Sequence, residues 1–387
     1  MWIERQAKSA IAQATRSRPV VLLTGARQTG KSSLLRHEFP DTAYVTFDYI
    51  INAEEAENNP AAFLGQFSTQ VILDEIQNAP SLFRELKIVV DANRETYGRW
   101  ILTGSRRFSL MQGISESLAG RIGILHLETL SAKELRECGF FPRARLTDFL
   151  WQGGFPELWA NEQLTFESFF LDYIQTYLAR DLQTIINVRN VRDFQRFIRL
   201  CAARVGQLLN YSDLATSIGV SNNTIKTWIN ALEAAGLISL LPPYYANIGK
   251  RLIKAPKLYF SDQGLVCALL NINSSHAWAN HPNRGELWEN FVYMEYAKTR
   301  QLVPGQHIFF YRDNNGVEID FVIEKGAQLE LIEAKATERV DDRKLKFPHV
   351  RRHFAETTST VACMINEDRM IDLKNYSMVN PLFADVA

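Results

Sequence analysis

The sequence predicts an α/β protein, with a parallel sheet at its start and a further α/β domain at its end, on three observations. Over the first third, apolar strand-like runs alternate with helix-like ones. The first of these runs ends in a glycine-rich loop, GARQTGKS. Far along the chain, VEIDFVIEKGAQLELIEAK, Val317 to Lys335, sets acids and a lysine inside two runs that otherwise read as buried strands. Strand–helix alternation implies parallel strands covered on both faces. Alternation along a strand places Glu318 and Asp320 on one face, and Glu333 and Lys335 on one face of the next. Unpaired buried charge is costly, so a sheet face that collects it meets water or binds something.

Taken in order, PVVLLTG (Pro19 to Gly25) is an apolar strand, followed by a helix from Lys31. AYVTFD is a second strand, with a helix through NPAAFLGQF after it. QVILDE is a third, followed by a helix that Pro80 opens in APSLFRELKIVVDAN. RWILTGS and RIGILHL are the fourth and fifth. These elements define a first domain, 1–130. A mostly helical, lid-like region follows at 131–205. At 206–270, NYSDLATSIGVSNNTIKTWINALEAAGLI gives two short helices around a Gly219 turn, with Ser221 or Asn222 as N-cap. The stretch ISLLPPYYANIGKRLIKAPKLYF reads as a hairpin, so the order is that of a winged helix-turn-helix. NINSSHAWANHPN is polar and irregular, and 271–284 reads as a linker. The last domain, 285–387, opens with GELWENFVYMEYAKT, read as an amphipathic helix, and continues into the acid-bearing strand pair.

Composition limits the functions available. A chain of 387 residues exceeds one ordinary core. With 43 basic and 43 acidic residues the net charge is zero, which excludes a globally basic nucleic-acid binder but not a local basic groove. The 4 cysteines, Cys138, Cys201, Cys267 and Cys363, are far apart and form no disulfide framework or zinc motif. No apolar run is long enough to span a membrane, and the N-terminus lacks a signal-peptide core. The expectation is a cytoplasmic protein with reduced thiols.

GARQTGKS fits G-x-x-x-x-G-K-[ST] at every fixed position, and it lies between a strand and a helix. Gly25, Ala26, Arg27, Gln28, Thr29 and Gly30 would wrap backbone N–H groups around phosphates at a helix N-terminus, with Ser33 just beyond. Lys31 would contact the β/γ-phosphates of ATP, and Ser32 would ligate Mg²⁺. In VILDE, a buried strand carries Asp74 and Glu75 out at its carboxyl end, where open α/β sheets bind ligands. Asp74 would hold Mg²⁺, and Glu75 would orient or deprotonate a water, which points to hydrolysis. Thr103 and Ser105 in LTGS either approach the γ-phosphate or cap their strand.

GARQTGKSSLL, ILDEIQNAPSLFRELK, LTGSRRF and ESLAGRI occur in order over most of the first 130 residues. In this the chain resembles the AAA+ ATPases, specifically a large prokaryotic family of them. The resemblance implies an arginine that reaches a neighbouring subunit's γ-phosphate. Arg121 fits that place, Arg106 and Arg107 compete for it, and a structural surface arginine is the alternative for Arg121. A finger in trans implies a homo-oligomer, in some AAA+ proteins a ring.

The second helix of the helix-turn-helix carries only Lys226 as a base together with Glu233, which is poor for reading DNA. The wing supplies Lys250, Arg251, Lys254 and Lys257 without an acid. It either contacts a nucleic-acid backbone or serves as a packing platform with a solvated basic side.

In the last domain the order helix acid, strand acid, E-x-K reads Glu289, Asp320, Glu333, Lys335. This is similar to the PD-(D/E)XK nuclease fold, in which the same ATPase family commonly ends. The resemblance covers roughly Gly285 to Ile365, including a later VACMI strand. It implies that Asp320 and Glu333 share a divalent cation, Mg²⁺ or Mn²⁺, that Glu289 tunes or completes the site, and that Lys335 orients a water or stabilises charge on a phosphate. Ile319 stands where such motifs often have proline. The alternative is a half-buried hairpin with Lys335 paired to Glu333 or Asp320 and no metal.

Two functions follow as expectations. The first is an oligomeric, Mg²⁺-dependent ATPase acting on DNA, with a nuclease-like domain that binds or cleaves it. The second is an ATP-switched regulatory protein whose last domain is a non-catalytic interaction module.

Overall fold

The computed structural model describes residues 1–104, 117–181, 191–245, 254–354 and 356–386, the side chains of 178–181 excepted. The chain divides into two compact units, Trp2–Thr129 with Ala234–Gly236, and essentially all the remainder.

The first unit is built on five parallel strands, β1 (Val20–Thr24), β2 (Ala43–Thr46), β3 (Val71–Asp74), β4 (Trp100–Gly104) and β5 (Ile122–His126), in the order β2-β3-β4-β1-β5. These are the five strands expected from the sequence. The β-branched and leucine runs of the central strands β1, β3 and β4 are buried on both faces, as a covered parallel sheet requires, while β2 and β5 at the edges are only partly covered. Val20, Leu22 and Leu73 meet α3 (Ile50–Asn58), α4 (Pro60–Gly65) and α5 (Ser81–Ala92) through Ala56, Phe63, Leu82 and Leu86. Leu23, Ile72 and Ile101 face the other way, toward Ile11 of α1 (Ala7–Ser17) and Leu34 and Leu35 of α2 (Lys31–Glu38). Each such fully buried side chain contributes on the order of 1.5–3 kcal/mol. Because β1, β4 and β3 pair parallel, all three end at the same edge of the sheet.

The second unit begins with α6 (Ala132–Glu137), started by a capping box between Ser131 and Glu134. Short helices follow between Arg143 and Asp172, then α7 (Val191–Ala203), α8 (Tyr211–Ile218) and α9 (Asn222–Ala234). Gly219 ends α8 in the left-handed conformation at φ 88°, the turn read from the sequence. Strands β6 (Ile238–Leu241) and β7 (Lys257–Phe260) pair antiparallel, with Leu241 opposite Lys257. After α10 (Gln263–Leu269), the stretch read as a linker holds a helical turn, Ser275–Ala279, capped by Ser274, and Trp278 there is buried.

A six-stranded mixed sheet completes this unit: β8 (Ile308–Arg312), β9 (Glu318–Lys325), β10 (Gln328–Lys335), β11 (Thr357–Cys363), β12 (Ile371–Asp372) and β13 (Ser377–Val379), in the order β12-β13-β11-β10-β9-β8. β9 and β10 form the expected hairpin, and β11 pairs parallel to β10. The helix α11 (Arg284–Thr299) departs from the amphipathic expectation. Every residue from Leu287 to Tyr296 except Glu289 is buried, because the helix touches β10, β7, α10 and α6. Its polar residues find partners inside: Asn290 accepts from the Phe260 N–H at 2.8 Å and donates to Gln263 Oε1 at 2.8 Å.

Candidate functional site: a phosphate loop and a carboxylate–lysine cluster

The phosphate loop spans the gap from β1 to α2. Gly25 adopts φ 157°, and a Cβ there would lie 2.2 Å from the Leu127 carbonyl oxygen, so only glycine fits. Gly30, at φ 88°, starts α2. Lys31 is the first helical residue, and its ammonium turns back to donate to the carbonyls of Ala26 at 2.8 Å and Gly25 at 3.2 Å. Burial lowers its pKa to about 8 against the opposing pull of Glu75 and Asp74. Arg5, a residue the motifs did not reveal, donates to the Thr29 carbonyl at 2.9 Å and to the Glu128 carbonyl at 2.6 Å, which braces the loop from the N-terminal segment.

Asp74 ends β3 facing this loop. Its Oδ1 accepts from the Ser32 hydroxyl at 2.7 Å and also from Thr103, and its Oδ2 accepts from the Tyr44 hydroxyl at 2.6 Å. Burial, then the bond to Asp74, raises the Tyr44 pKa and keeps it a donor. Glu75 sits in the left-handed region at φ 55°, with Gln77 on its carboxylate and its N–H on Thr103 Oγ1 at 3.3 Å. Arg27, Gln28, Gly30, Lys31, Ser32, Ser33, Asp48, Glu75, Gln77 and Asn78 enclose a cleft of about 340 Å³. Asp48 was not anticipated from sequence; burial, then Glu75 and Asp74, raises its pKa.

A hydroxyl beside a carboxylate is an all-oxygen donor set, and it fits a hard cation such as Mg²⁺. Ser32 and Asp74 would hold the ion, which when bound neutralises phosphate charge. Thr103 thus holds the carboxylate rather than only capping its strand. Ser105, Arg106 and Arg107 lie outside the described residues. Arg121 donates to both carboxylate oxygens of Asp91, at 2.7 and 2.8 Å, at the end of α5. The hydrogen bonds from Arg121 and then Arg94 lower the Asp91 pKa to about 2.

In the second unit, Glu289, Asp320, Glu333 and Lys335 occupy one neighbourhood at α11, β9 and β10. Lys335 Nζ lies 2.7 Å from Glu333 Oε2 and 3.7 Å from Asp320 Oδ2. Asp320 Oδ2 also accepts from the Ala334 N–H at 2.8 Å, and Glu333 Oε1 from the Lys346 N–H at 2.6 Å. Two further residues, Lys257 and Tyr259, enter that sequence did not assign here. Lys257 of β7 places Nζ 2.9 Å from Glu289 Oε1 and 2.6 Å from Glu318 Oε1. The Tyr259 hydroxyl donates to the same Glu289 oxygen at 2.5 Å.

Burial alone would lower the Lys257 pKa, but Glu289, Asp320 and Glu318 outweigh it and the net shift is upward. Glu289 is pushed upward by burial and by Asp320, against the pull of Lys257 and Tyr259. Among the described residues, no group of three or more His, Cys, Asp or Glu side chains is arranged to hold a metal ion. The carboxylates expected to share a cation each meet lysine, tyrosine or backbone donors. The basic run read as a wing is only partly described. Lys257 is only 3% exposed and committed to carboxylates, Lys254 is exposed, and Lys250 and Arg251 lie outside the described residues.

Comparison with known proteins divides the chain in a similar way. An AAA domain model matches residues 17–136, and two domains of unknown function, DUF8612 and DUF4143, match 143–276 and 284–380. The uncharacterized protein Rv2008c of Mycobacterium tuberculosis is 32% identical over 342 residues, covering 87% of this chain and 75% of the relative. The uncharacterized protein Mb2031c of Mycobacterium bovis gives the same figures, 32%, 87% and 75%. Among solved structures, the Walker-type ATPase PABY2304 of Pyrococcus abyssi is 16% identical with a TM-score of 0.44, covering 70% of this chain and 96% of that one. No helix among the described residues is long and apolar enough to cross a membrane. The chain belongs to the family of these two mycobacterial proteins, and its first unit carries an AAA-type P-loop ATPase domain.

Proposed function

We propose that this protein is a Mg²⁺-dependent ATP phosphohydrolase that works as a nucleotide-controlled switch. The observation that carries the reading is the convergence of Ser32 and Thr103 on Asp74, with Lys31 and Glu75 lining the same cleft. Gly25 to Thr29 and the N-terminus of α2 surround the phosphates, Lys31 exchanges loop carbonyls for phosphate oxygens, and Glu75 orients or deprotonates the attacking water. Steady-state phosphate release tests this, with and without Mg²⁺. A wild-type protein that binds ATP but hydrolyses none over hours would sink the reading.

Arg121 serves in this proposal as a finger in a homo-oligomer, leaving Asp91 when a neighbouring subunit docks. The final unit acts as an interaction module, a reading supported by lysine pairing of its carboxylates. A second reading, DNA cleavage at Mg²⁺ or Mn²⁺, draws support from the meeting of Asp320 and Glu333 at Lys335. Labelled single- and double-stranded DNA, incubated with each ion with and without ATP, separates the two. Cleavage that Asp320→Asn and Lys335→Ala both abolish, with ATPase unchanged, selects the second reading. Intact DNA under all these conditions selects the first.

A further inference from the structure

We propose that Lys257 is the resident cation of the Glu289–Glu318–Asp320 cluster, an internal ammonium that keeps divalent metal out of the second unit. The carboxylates of such a cluster attract hard divalent ions, and without a counter-charge their burial would cost several kcal/mol each. Lys257 supplies that charge from a strand outside the six-stranded sheet. Its Nζ bonds to Glu289 Oε1 at 2.9 Å and Glu318 Oε1 at 2.6 Å, and it faces the charge of Asp320. An ammonium has three donors and no acceptor, so it can address several carboxylates from one point, as a metal ion does.

The neighbours reinforce the assignment. Tyr259, two positions along the same strand, donates to Glu289, and Arg312 lies 3.6 Å from the other Glu318 oxygen. Gly206, at φ 74°, backs Glu289, and a Cβ there would come within 3.6 Å of its carboxylate. The other half of the cluster is closed in the same way, because Lys335 bridges Asp320 and Glu333. Lys257 is almost fully buried among these carboxylates. The inference is independent of the nucleotide site and of the ATPase reading.

Mn²⁺ binding to nucleotide-free, full-length protein tests this, followed by electron paramagnetic resonance and by the metal's effect on thermal melting. Asp74→Asn serves as the background, so that the nucleotide site makes no contribution. The background protein should leave Mn²⁺ free and show no Mn²⁺-dependent change in melting temperature. Adding Lys257→Met should raise Mn²⁺ affinity by about tenfold or more and let Mn²⁺ raise the melting temperature. Adding Asp320→Asn should then remove both effects. Mn²⁺ binding in the lysine-bearing protein that Asp320→Asn abolishes overturns the proposal, as does a folded Lys257→Met protein with no gain. Should Lys257→Met fail to fold, the lysine-bearing protein decides alone. Binding that Asp320→Asn abolishes overturns the proposal there, and its absence upholds it.

Discussion

The Ser32 hydroxyl donates to Asp74 Oδ1 at 2.7 Å, although 42 positions separate the two residues. One belongs to the phosphate loop's helix and the other ends a strand two places away in the sheet. With Tyr44 and Thr103 on the same carboxylate, the aspartate is oriented before any ligand arrives. Such preorganisation lowers the reorganisation needed when charge develops in the site.

Lys31→Ala should weaken ATP affinity by about tenfold or more, because in the proposed function its ammonium leaves the loop carbonyls for the β/γ-phosphates. Glu75→Gln should bind ATP nearly as wild type and lose on the order of a hundredfold in turnover. Equilibrium nucleotide titration and phosphate release separate these effects. Equal turnover in Glu75→Gln and wild type would remove Glu75 from its role.

Thr103→Val keeps the shape of the side chain and deletes its bonds to Asp74 and to the Glu75 N–H. Turnover should fall by about tenfold while ATP affinity stays within about twofold, since the change misaligns two groups without removing either. An equal loss in affinity would instead indicate general damage to the cleft.

Arg121→Ala should bind ATP normally and hydrolyse it about a hundredfold or more slowly if the guanidinium acts on a neighbour's nucleotide. Mixing it with Lys31→Ala protein should recover part of the activity through composite sites. Asp91→Asn releases Arg121 from its bidentate pair and should leave that activity in place or raise it. Full activity in a protein that light scattering finds monomeric excludes the role.

Glu295 provides a pH test. Its carboxylate caps α6, accepting from the Ala132 N–H at 2.8 Å and the Lys133 N–H at 3.0 Å. Burial nevertheless raises its pKa to about 7, against those bonds. The folded state therefore holds a proton that the unfolded state releases near its ordinary value. Stability should fall as pH rises from the ordinary carboxylate range to about 7, by about 3 kcal/mol or less for this group. Denaturant melts of wild type and Glu295→Gln across that range should show the slope only in wild type.

The nucleotide half of the molecule was legible because its signals are local. Gly25, Gly30, Lys31 and Ser32 fall within one loop, and Asp74 and Glu75 end one apolar strand. Arg5 and Tyr44 escaped notice because they act through hydrogen bonds to groups distant in sequence, and no spacing rule marks them. The β9–β10 hairpin and its charges were also legible from alternation. Lys257 was not: in GKRLIKAPK it is one base among several, and its partners on α11 and β9 are brought to it only by tertiary packing. The burial of α11 was hidden for a related reason. The helix read as amphipathic, whereas its Glu289, Asn290 and Glu295 are each bonded inside the unit.

Strand order has a consequence for the timing of synthesis. The phosphate loop follows β1 and Asp74 ends β3, and these strands do not touch; β4 stands between them and pairs with both. A nascent chain that has exposed GARQTGKS and VILDE thus still lacks the strand that spaces them, along with Thr103. Only once residues through Gly104 have left the ribosome can the two halves of the cleft assume their separation. The cleft, with Thr103 at its base, is thus a property of the paired sheet and not of the motif by itself.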